Sequence, residues 1–234
     1  APLASRRACL VLTITNPSSV CFRYPLRFYE HLLDASSAAY EPEPFGLVSA
    51  REAIASYYRA RGCACDAESV WLTASTSEAF AQLFALLCDP GDVVLVPRPG
   101  YPLLEYLAAL ADVRLVSYPL GYDGRWFVDL ERLREVISEQ PRARAIVCTA
   151  PGNPTGAYLA LPELKLSWGV ICGPRDRVAA ALERLAVIAD TTLSVSTPVQ
   201  RALPGILAES ADMRARIRAR TTANLGALRA ALAE

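Results

Sequence analysis

Short apolar segments alternate with helical segments along most of the chain, and this alternation constrains the fold more than any other feature. Strands are predicted at 70–73, 93–96, 113–118, 145–149 and 166–172. Helices are predicted at 49–61, 78–88, 103–110, 130–137 (after an Asp129 N-cap), 173–189 and from 198 onward. Short buried strands separated by helices are typical of a parallel sheet covered on both faces. We therefore expect an α/β fold, with a mostly parallel sheet and helices on both faces.

The charge composition argues against several classes of function. The chain has 24 basic and 24 acidic residues, so nothing in its net charge favours binding to nucleic acid or to a membrane surface. No apolar stretch approaches the roughly 20 residues of a membrane span. His31 is the only histidine, which excludes histidine-rich metal sites and argues against a Ser-His-Asp triad.

The cysteines and the single lysine are unusually informative. The seven cysteines are Cys9, Cys21, Cys63, Cys65, Cys88, Cys148 and Cys172. Their scatter through apolar segments is typical of reduced core thiols in a cytoplasmic protein, and Cys63 with Cys65 lacks a second ligand pair for a metal. The first 15 residues contain no methionine and no signal layout, which suggests a truncated beginning. Lys165 is the only lysine, so chemistry that requires a primary amine depends on it.

Two segments at strand ends are candidates for binding a ligand. Residues 73–77 carry several hydroxyls directly before a helix, where a phosphate group binds well, although an ordinary serine N-cap explains the same pattern. Residues 97–102 contain three prolines and a glycine, which would hold Tyr101 in one orientation. Its ring either stacks on a flat ligand or packs against the protein.

Two further candidates lie later in the chain. Residues 151–156 form a turn that exposes the Asn153 amide as a donor, or form a plain loop. Lys165 is a solvated charge at a strand edge, a partner for an anion, or a nucleophilic amine. Ligands of parallel sheets bind at the carboxyl ends of the strands, so we expect these segments to share one site. The arginines at 214–220 are expected on a solvated helix face.

In their order along the chain, these segments resemble the class I and II aminotransferases, which are fold-type I pyridoxal-phosphate enzymes. The matching segments are Tyr40 with 46–47 and 51–55, then 73–79, 90–97 with 101–102, 153–156 and 161–168. The resemblance implies an N-terminal arm with part of a small domain at 1–45 and a cofactor-binding large domain at 46–190. It also implies the start of an incomplete C-terminal small domain at 191–234.

The resemblance implies that pyridoxal 5'-phosphate is the cofactor. In this family the residues that match Ser75, Thr76 and Ser77 bind the cofactor phosphate, and the basic residue that matches Lys165 pairs with it. The residue that matches Tyr101 stacks on the pyridine ring.

Three other positions follow from the same resemblance. Asn153 matches the residue that hydrogen-bonds the phenolic oxygen of the ring. Tyr40 matches a tyrosine that reaches the phosphate of the neighbouring subunit's cofactor, which implies a homodimer. Asn16 matches a residue of the segment that closes over the substrate.

The chain departs from the family pattern in one region. In the family, the Schiff-base lysine lies eight residues before the basic residue that matches Lys165, so its position falls on Ala157. A long stretch of the family is also lost near 157–161. The lost stretch includes two strands, so we predict that the strands at 145–149 and 166–172 pair directly and cover each other's unpaired edges.

The expected reaction is the transfer of an amino group between an α-amino acid and a 2-oxo acid. Without the lysine, this chain is expected to be impaired or inactive. One alternative is a pyridoxal-phosphate-dependent lyase or decarboxylase of the same fold. Another is a catalytically dead protein that binds the cofactor or serves as a dimer partner.

Overall fold

The computed structural model describes residue 22 and residues 24–123, 126–148 and 164–233. The helices are α1 (Arg27–Glu30), α2 (Val48–Arg59), α3 (Thr76–Leu87), α4 (Leu103–Leu110), α5 (Leu130–Ser138), α6 (Arg175–Asp190), α7 (Thr197–Glu209) and α8 (Ala211–Ala233). The strands are β1 (Val70–Thr73), β2 (Val93–Arg98), β3 (Arg114–Tyr122), β4 (Trp126–Val128), β5 (Ala143–Ile146) and β6 (Ser167–Val170). Short 3-10 helices cover His31–Leu33, Ala35–Ala38 and Ala67–Ser69. Among the described helices, none combines the length with the apolar run needed to cross a membrane.

Four strands form one sheet, in the order β4-β3-β2-β5. β2 runs parallel to β3 and to β5, while the short β4 is antiparallel to β3. Alternate residues of β2 face opposite sides. Val94 packs with Phe84 of α3 and Leu104 of α4, whereas Leu95 packs with Leu133 of α5. The prediction of parallel strands with helices on both faces is confirmed for this sheet.

β1 and β6 form a separate two-stranded antiparallel sheet, with Val70 opposite Val170 and Thr73 opposite Ser167. All four residues of β1 are buried although the sheet has only two strands. α2 and α7 cover one of its faces. On the other face, Trp71 Nε1 donates a hydrogen bond of 3.1 Å to Gln82 of α3.

The predicted pairing of the strands at 145–149 and 166–172 is wrong. β5 pairs with β2, and β6 pairs with β1 in the other sheet. Pairing with β1 lets Trp168 and Val170 pack against the buried core between α2 and α7, and this burial stabilises β6 in that position. β5 remains at an edge, where the Ile146 side chain is 43% exposed.

Most predicted boundaries lie within two residues of those in the structure, but β3 extends four residues further and β5 ends three residues earlier than predicted. The segments 70–73 and 103–110 are confirmed residue for residue. Asp129 caps α5 as predicted, because its carboxylate accepts hydrogen bonds from the backbone N–H groups of Glu131 and Arg132. α3 begins at Thr76, two residues before the predicted start, because Ser75 is its N-cap. β4 was not predicted.

The cysteine interpretation needs a correction. The described cysteines are all free, but Cys63, Cys148 and Cys172 are exposed, so these three are not core thiols. Cys65 is buried and Cys88 is half-buried. Cys148 and Cys172 lie two residues after the ends of β5 and β6, and Cys63 lies in the connection between α2 and β1.

The buried carboxylate of Asp92 sits at the start of the four-stranded sheet. It accepts hydrogen bonds of 2.9 Å from Arg142 Nε, from Arg144 Nε and from the backbone N–H of Asp89. The Asp89 N–H and then the Arg144 guanidinium lower the pKa of Asp92 to about 2. Asp92 therefore joins the turn before β2 to the strand β5.

Candidate functional site

Reciprocal hydrogen bonds hold the N-terminus of α3. Ser75 Oγ accepts a hydrogen bond of 3.1 Å from the backbone N–H of Glu78. The Glu78 carboxylate accepts one of 2.7 Å from the backbone N–H of Ala74. This arrangement is close to a capping box, with the Glu78 carboxylate bonded to the residue before the N-cap. Ser75 therefore acts as the ordinary N-cap that the sequence suggested.

Two further hydroxyl groups stabilise the same turn. Thr73 Oγ1 donates to the backbone carbonyl of Ser75 over 3.0 Å. Ser194, between α6 and α7, donates to Glu78 Oε2 over 2.7 Å. The turn is thus tied to the strand before it and to a segment more than 100 residues later, which keeps its backbone in one conformation.

This helix terminus also has groups suited to an anion. Thr76 is exposed, and Ser75 and Ser77 are half-buried. The Ser75 hydroxyl accepts the capping hydrogen bond and still has its own proton to donate. The N-terminus of a helix carries a partial positive charge and binds phosphate groups well. The N-cap and the phosphate interpretations are therefore compatible.

Lys165 lies at the same end of the β1–β6 pair. Because the strands are antiparallel and Thr73 is opposite Ser167, the end of β1 meets the beginning of β6. Ser75 lies two residues after the end of β1, and Lys165 lies two residues before the start of β6. Lys165 is exposed, with a φ of 49°. The backbone of Lys165 and the α3 terminus are therefore at the same end of this strand pair.

Tyr101 follows the carboxyl end of β2. A Cβ at Gly100 would lie 2.3 Å from the carbonyl oxygen of Pro97, so only glycine fits this loop. Tyr101 is half-buried and packs against the same apolar cluster as Phe80, one turn after Ser77 in α3. Tyr101 lines an open cavity of about 460 Å³, together with the other residues of 96–102 and with Ser117. The cavity is large enough for a flat ring.

The carboxyl end of β5 is held by a buried tyrosine of β3. Tyr118 Oη donates a hydrogen bond of 2.7 Å to the carbonyl oxygen of Val147, and reaches across β2 to do so. Burial, followed by the hydrogen bond with Cys148, raises the pKa of Tyr118. The hydroxyl therefore stays protonated and holds the carboxyl end of β5, after which the sequence continues to Asn153.

Other candidate residues are elsewhere or outside the described part of the chain. The Tyr40 side chain is 78% exposed and lines a smaller cavity, of about 40 Å³, with Gln82 and Ser194. Neither this cavity nor the one at Tyr101 is lined by 75–77 or Lys165. Asn16, Asn153 and Ala157 lie outside the described residues.

Sequence reasoning missed Glu78 and Ser194, which together hold the α3 turn. A signal for Glu78 was present, because Ser75 followed three residues later by Glu is the capping-box pattern. Nothing in the sequence indicated Ser194, because its contact with Glu78 depends on the packing of α6 against α3.

Known proteins with a similar sequence or fold are aminotransferases. The profile of aminotransferases of class I and II matches residues 27–166. The glutamate-pyruvate aminotransferase AlaA of Escherichia coli K12 is 35% identical over 150 residues, which is 63% of this chain and 36% of that protein. Human tyrosine aminotransferase is 34% identical over 120 residues, covering 51% and 26%. The solved alanine aminotransferase of Pyrococcus furiosus has a TM-score of 0.75 at 21% identity, covering 89% and 67%, and shares the fold.

The chain spans about a third, or less, of the length of these two curated relatives. The family profile nevertheless covers more than half of the chain, including the α3 terminus, the Tyr101 loop and Lys165. The sequence match identifies the family, and the solved structure shares the fold. This chain therefore belongs to the class I and II aminotransferases, a family of transferases that depend on pyridoxal 5'-phosphate.

Proposed function

We propose that this chain binds pyridoxal 5'-phosphate without a covalent link, at the sheet end formed by β1, α3 and β6. We further propose that the reaction of the complete family site is amino-group transfer between an α-amino acid and a 2-oxo acid. The observation that supports the proposal is the β1–β6 register: its last pair, Thr73 with Ser167, lies two residues from Ser75 on one strand and two residues from Lys165 on the other.

The residues present fit the phosphate and one face of the ring. The hydroxyls of Ser75, Thr76 and Ser77 would donate hydrogen bonds to phosphate oxygens at a helix terminus. The Lys165 ammonium would add a compact positive charge. Tyr101 would stack on the pyridine ring, supported by the rigid loop that carries it.

The residues present do not fit covalent attachment of the cofactor. Lys165 is the only lysine, and we assign it to the phosphate, while the lysine that the family uses falls on Ala157. When bound, the cofactor supplies an electron sink for chemistry at the substrate's α-carbon. A side chain must still move the proton at that carbon, and alanine has no group that does so. We therefore propose that transaminase turnover is impaired or absent.

The remaining residues complete the proposed site. Asn153 would hydrogen-bond the phenolic oxygen of the ring, and Asn16 would lie against the substrate. The high exposure of Tyr40 supports a contact with the neighbouring subunit of a homodimer. We also propose a cytoplasmic location, and the division into segments 1–45, 46–190 and 191–234.

The missing lysine favours a second function, that of a catalytically dead cofactor-binding protein or dimer partner. Such a protein would keep the phosphate contacts and have no turnover. A lyase or decarboxylase would instead release products from amino acids without consuming a 2-oxo acid.

The proposal is tested by titrating the purified chain with pyridoxal 5'-phosphate and following its absorbance and the quenching of tryptophan fluorescence. Borohydride reduction and peptide mapping then locate any covalent adduct. We expect saturable binding, no adduct, and no amino-group transfer from a panel of amino acids to 2-oxo acids.

Three single substitutions test whether particular side chains, rather than the overall charge of the chain, bind the cofactor. Lys165→Ala and Ser77→Ala should each weaken binding about tenfold or more, since each removes a contact to an ionised phosphate. Arg177→Ala, which removes an exposed cation on α6, should leave binding unchanged. A covalent adduct on Lys165 would contradict its assignment to the phosphate, and identical binding by all variants would rule out this location.

A further inference from the structure

A second cavity lies at the end of the β1–β6 pair opposite to the proposed cofactor site. Its volume is about 370 Å³. The side chains that border it include Cys65, Asp66, Cys172, Arg175, Val178 and Leu182. Two thiols thus share one open cavity, and the proposed function uses neither of them.

The strand register explains how these cysteines come to line one cavity. Val170 is opposite Val70, and the next backbone bond runs from the N–H of Ile171 to the carbonyl of Ser69, over 2.9 Å. Cys172 follows directly at the end of β6. Cys65 precedes the 3-10 turn Ala67–Ser69 that leads into β1. Residues 107 positions apart in sequence are therefore brought to the same sheet end.

The two thiols differ in accessibility. Cys172 is exposed, whereas Cys65 is only 7% exposed. The Cys65 backbone is fixed because its carbonyl accepts a hydrogen bond of 2.9 Å from Arg59 Nη1. Burial, and next the charge of Cys172 as a thiolate, raises the pKa of Cys65. A reagent in the cavity therefore reaches Cys172 first, and Cys65 is available as the second thiol.

We propose that Cys65 and Cys172 are a redox-active thiol pair, which low-molecular-weight disulfides oxidise to an intramolecular disulfide. The Cys172 thiolate attacks the small disulfide, forming a mixed disulfide and releasing one small thiol. The Cys65 thiolate then attacks the Cys172 sulfur, forming the Cys65–Cys172 bond and releasing the second small thiol. The protein loses two electrons and two protons, and the small disulfide gains the two electrons.

The bridge would join the segment before β1 to the end of β6. It would lock the β1–β6 pair at the end remote from Lys165 and Ser75. We therefore expect oxidation to raise the thermal midpoint of unfolding while leaving the affinity for pyridoxal 5'-phosphate unchanged. This inference does not depend on the proposed function.

The test is incubation of the full chain with oxidised glutathione, followed by blocking of free thiols and tryptic mapping without reduction. Trypsin places Cys65 in the peptide 62–114 and Cys172 in the peptide 166–175. We expect these two peptides to be linked, with the loss of two hydrogen atoms, and dithiothreitol to separate them.

Single substitutions identify the sulfurs. Cys172→Ser should abolish the linked peptides and the rise in thermal midpoint. Cys65→Ala should leave Cys172 as a mixed disulfide with glutathione. Cys63→Ser and Cys88→Ser, which alter the other cysteines of peptide 62–114, should leave the link intact. A link that survives Cys65→Ala, a Cys63–Cys65 bond, or glutathione adducts alone in the unsubstituted chain would each overturn the proposal.

Discussion

The two sheets of this protein bury their strands in different ways. In the four-stranded sheet, β2 has a strand on each side and helices on both faces, and the side chains of Val93, Val94 and Leu95 are fully buried. In the β1–β6 pair, β1 has one neighbouring strand and is nevertheless fully buried by the helices around it. Of the strands with one partner in the described residues, β1 is buried at all four positions, whereas β5 alternates between half-buried and exposed residues.

Within the described residues, no strand pairing joins the two sheets. The helix α3 packs against both of them, through Phe84 on one side and Gln82 on the other. The proposed cofactor site draws on both sheets, with the α3 terminus and Lys165 on the two-stranded side and Tyr101 on the other.

The largest expected effect contrasts the centre and the edge of the four-stranded sheet. Leu95 and Ile146 are opposite each other in the β2–β5 register, but Leu95 is fully buried while Ile146 is 43% exposed. Leu95→Ala should lower the free energy of unfolding by about 2–5 kcal/mol, and Ile146→Ala by roughly 1 kcal/mol. Urea unfolding measures both, and equal losses would mean that the outer face of β5 is covered.

The second prediction concerns the β1–β6 pair. A Cβ on Gly169 would lie 2.0 Å from the Trp71 ring, so Gly169→Ala forces the ring or the strand to move. We expect a loss of about 1–3 kcal/mol in the free energy of unfolding. The matched control is Gly226→Ala, because nothing lies within 4 Å of that position in α8.

In this control, alanine should stabilise the exposed helix by up to about 1 kcal/mol. Chemical denaturation of both variants gives the comparison directly. A stable Gly169→Ala protein with an undisturbed Trp71 fluorescence spectrum would contradict the tight packing of β6 against β1.

A third prediction tests the tie between β3 and the end of β5. Tyr118→Phe removes the hydrogen bond to the Val147 carbonyl and should cost about 1 kcal/mol. Tyr106→Phe, at a side chain that is 69% exposed, should change the free energy of unfolding by less than about 0.5 kcal/mol. If thermal unfolding shows equal effects of the two substitutions, the Tyr118 hydroxyl does not stabilise the fold and only its ring does.

The fourth prediction concerns Asp92, whose contribution to stability depends on pH. Because its folded-state pKa of about 2 lies below the ordinary value, the ionised carboxylate stabilises the fold. That stabilisation is fully present above about pH 4 and is lost as the pH falls towards 2.

The measurement is the urea midpoint as a function of pH, for the unsubstituted chain and for Asp92→Asn. The variant should be less stable at pH 7 and should show a shallower loss of stability between pH 4 and pH 2. Parallel curves would show that other carboxylates cause the acid sensitivity.

The sequence predicted the local elements well, because their signals are local. Asp129 and Ser75 lie where side-chain oxygens satisfy free N–H groups of a helix, and the chain shows both patterns. The strand pairing was predicted wrongly, because the choice of partner for β6 depends on what Trp168 and Val170 bury. The exposure of Cys172 was missed for the same reason, since apolar neighbours in sequence do not show which way a side chain points.

The sequence by itself determined the alternation of strands and helices, the resemblance to the family and the presence of a single lysine, since each depends on residue type and order. Only the tertiary structure decided that the described strands form two sheets, that Lys165 and the α3 terminus lie at one end of the β1–β6 pair, and that Cys65 and Cys172 line one cavity. These arrangements join residues roughly 90 or more positions apart. The chain brings such residues together only when burial of apolar surface outweighs the entropy of closing the loop between them.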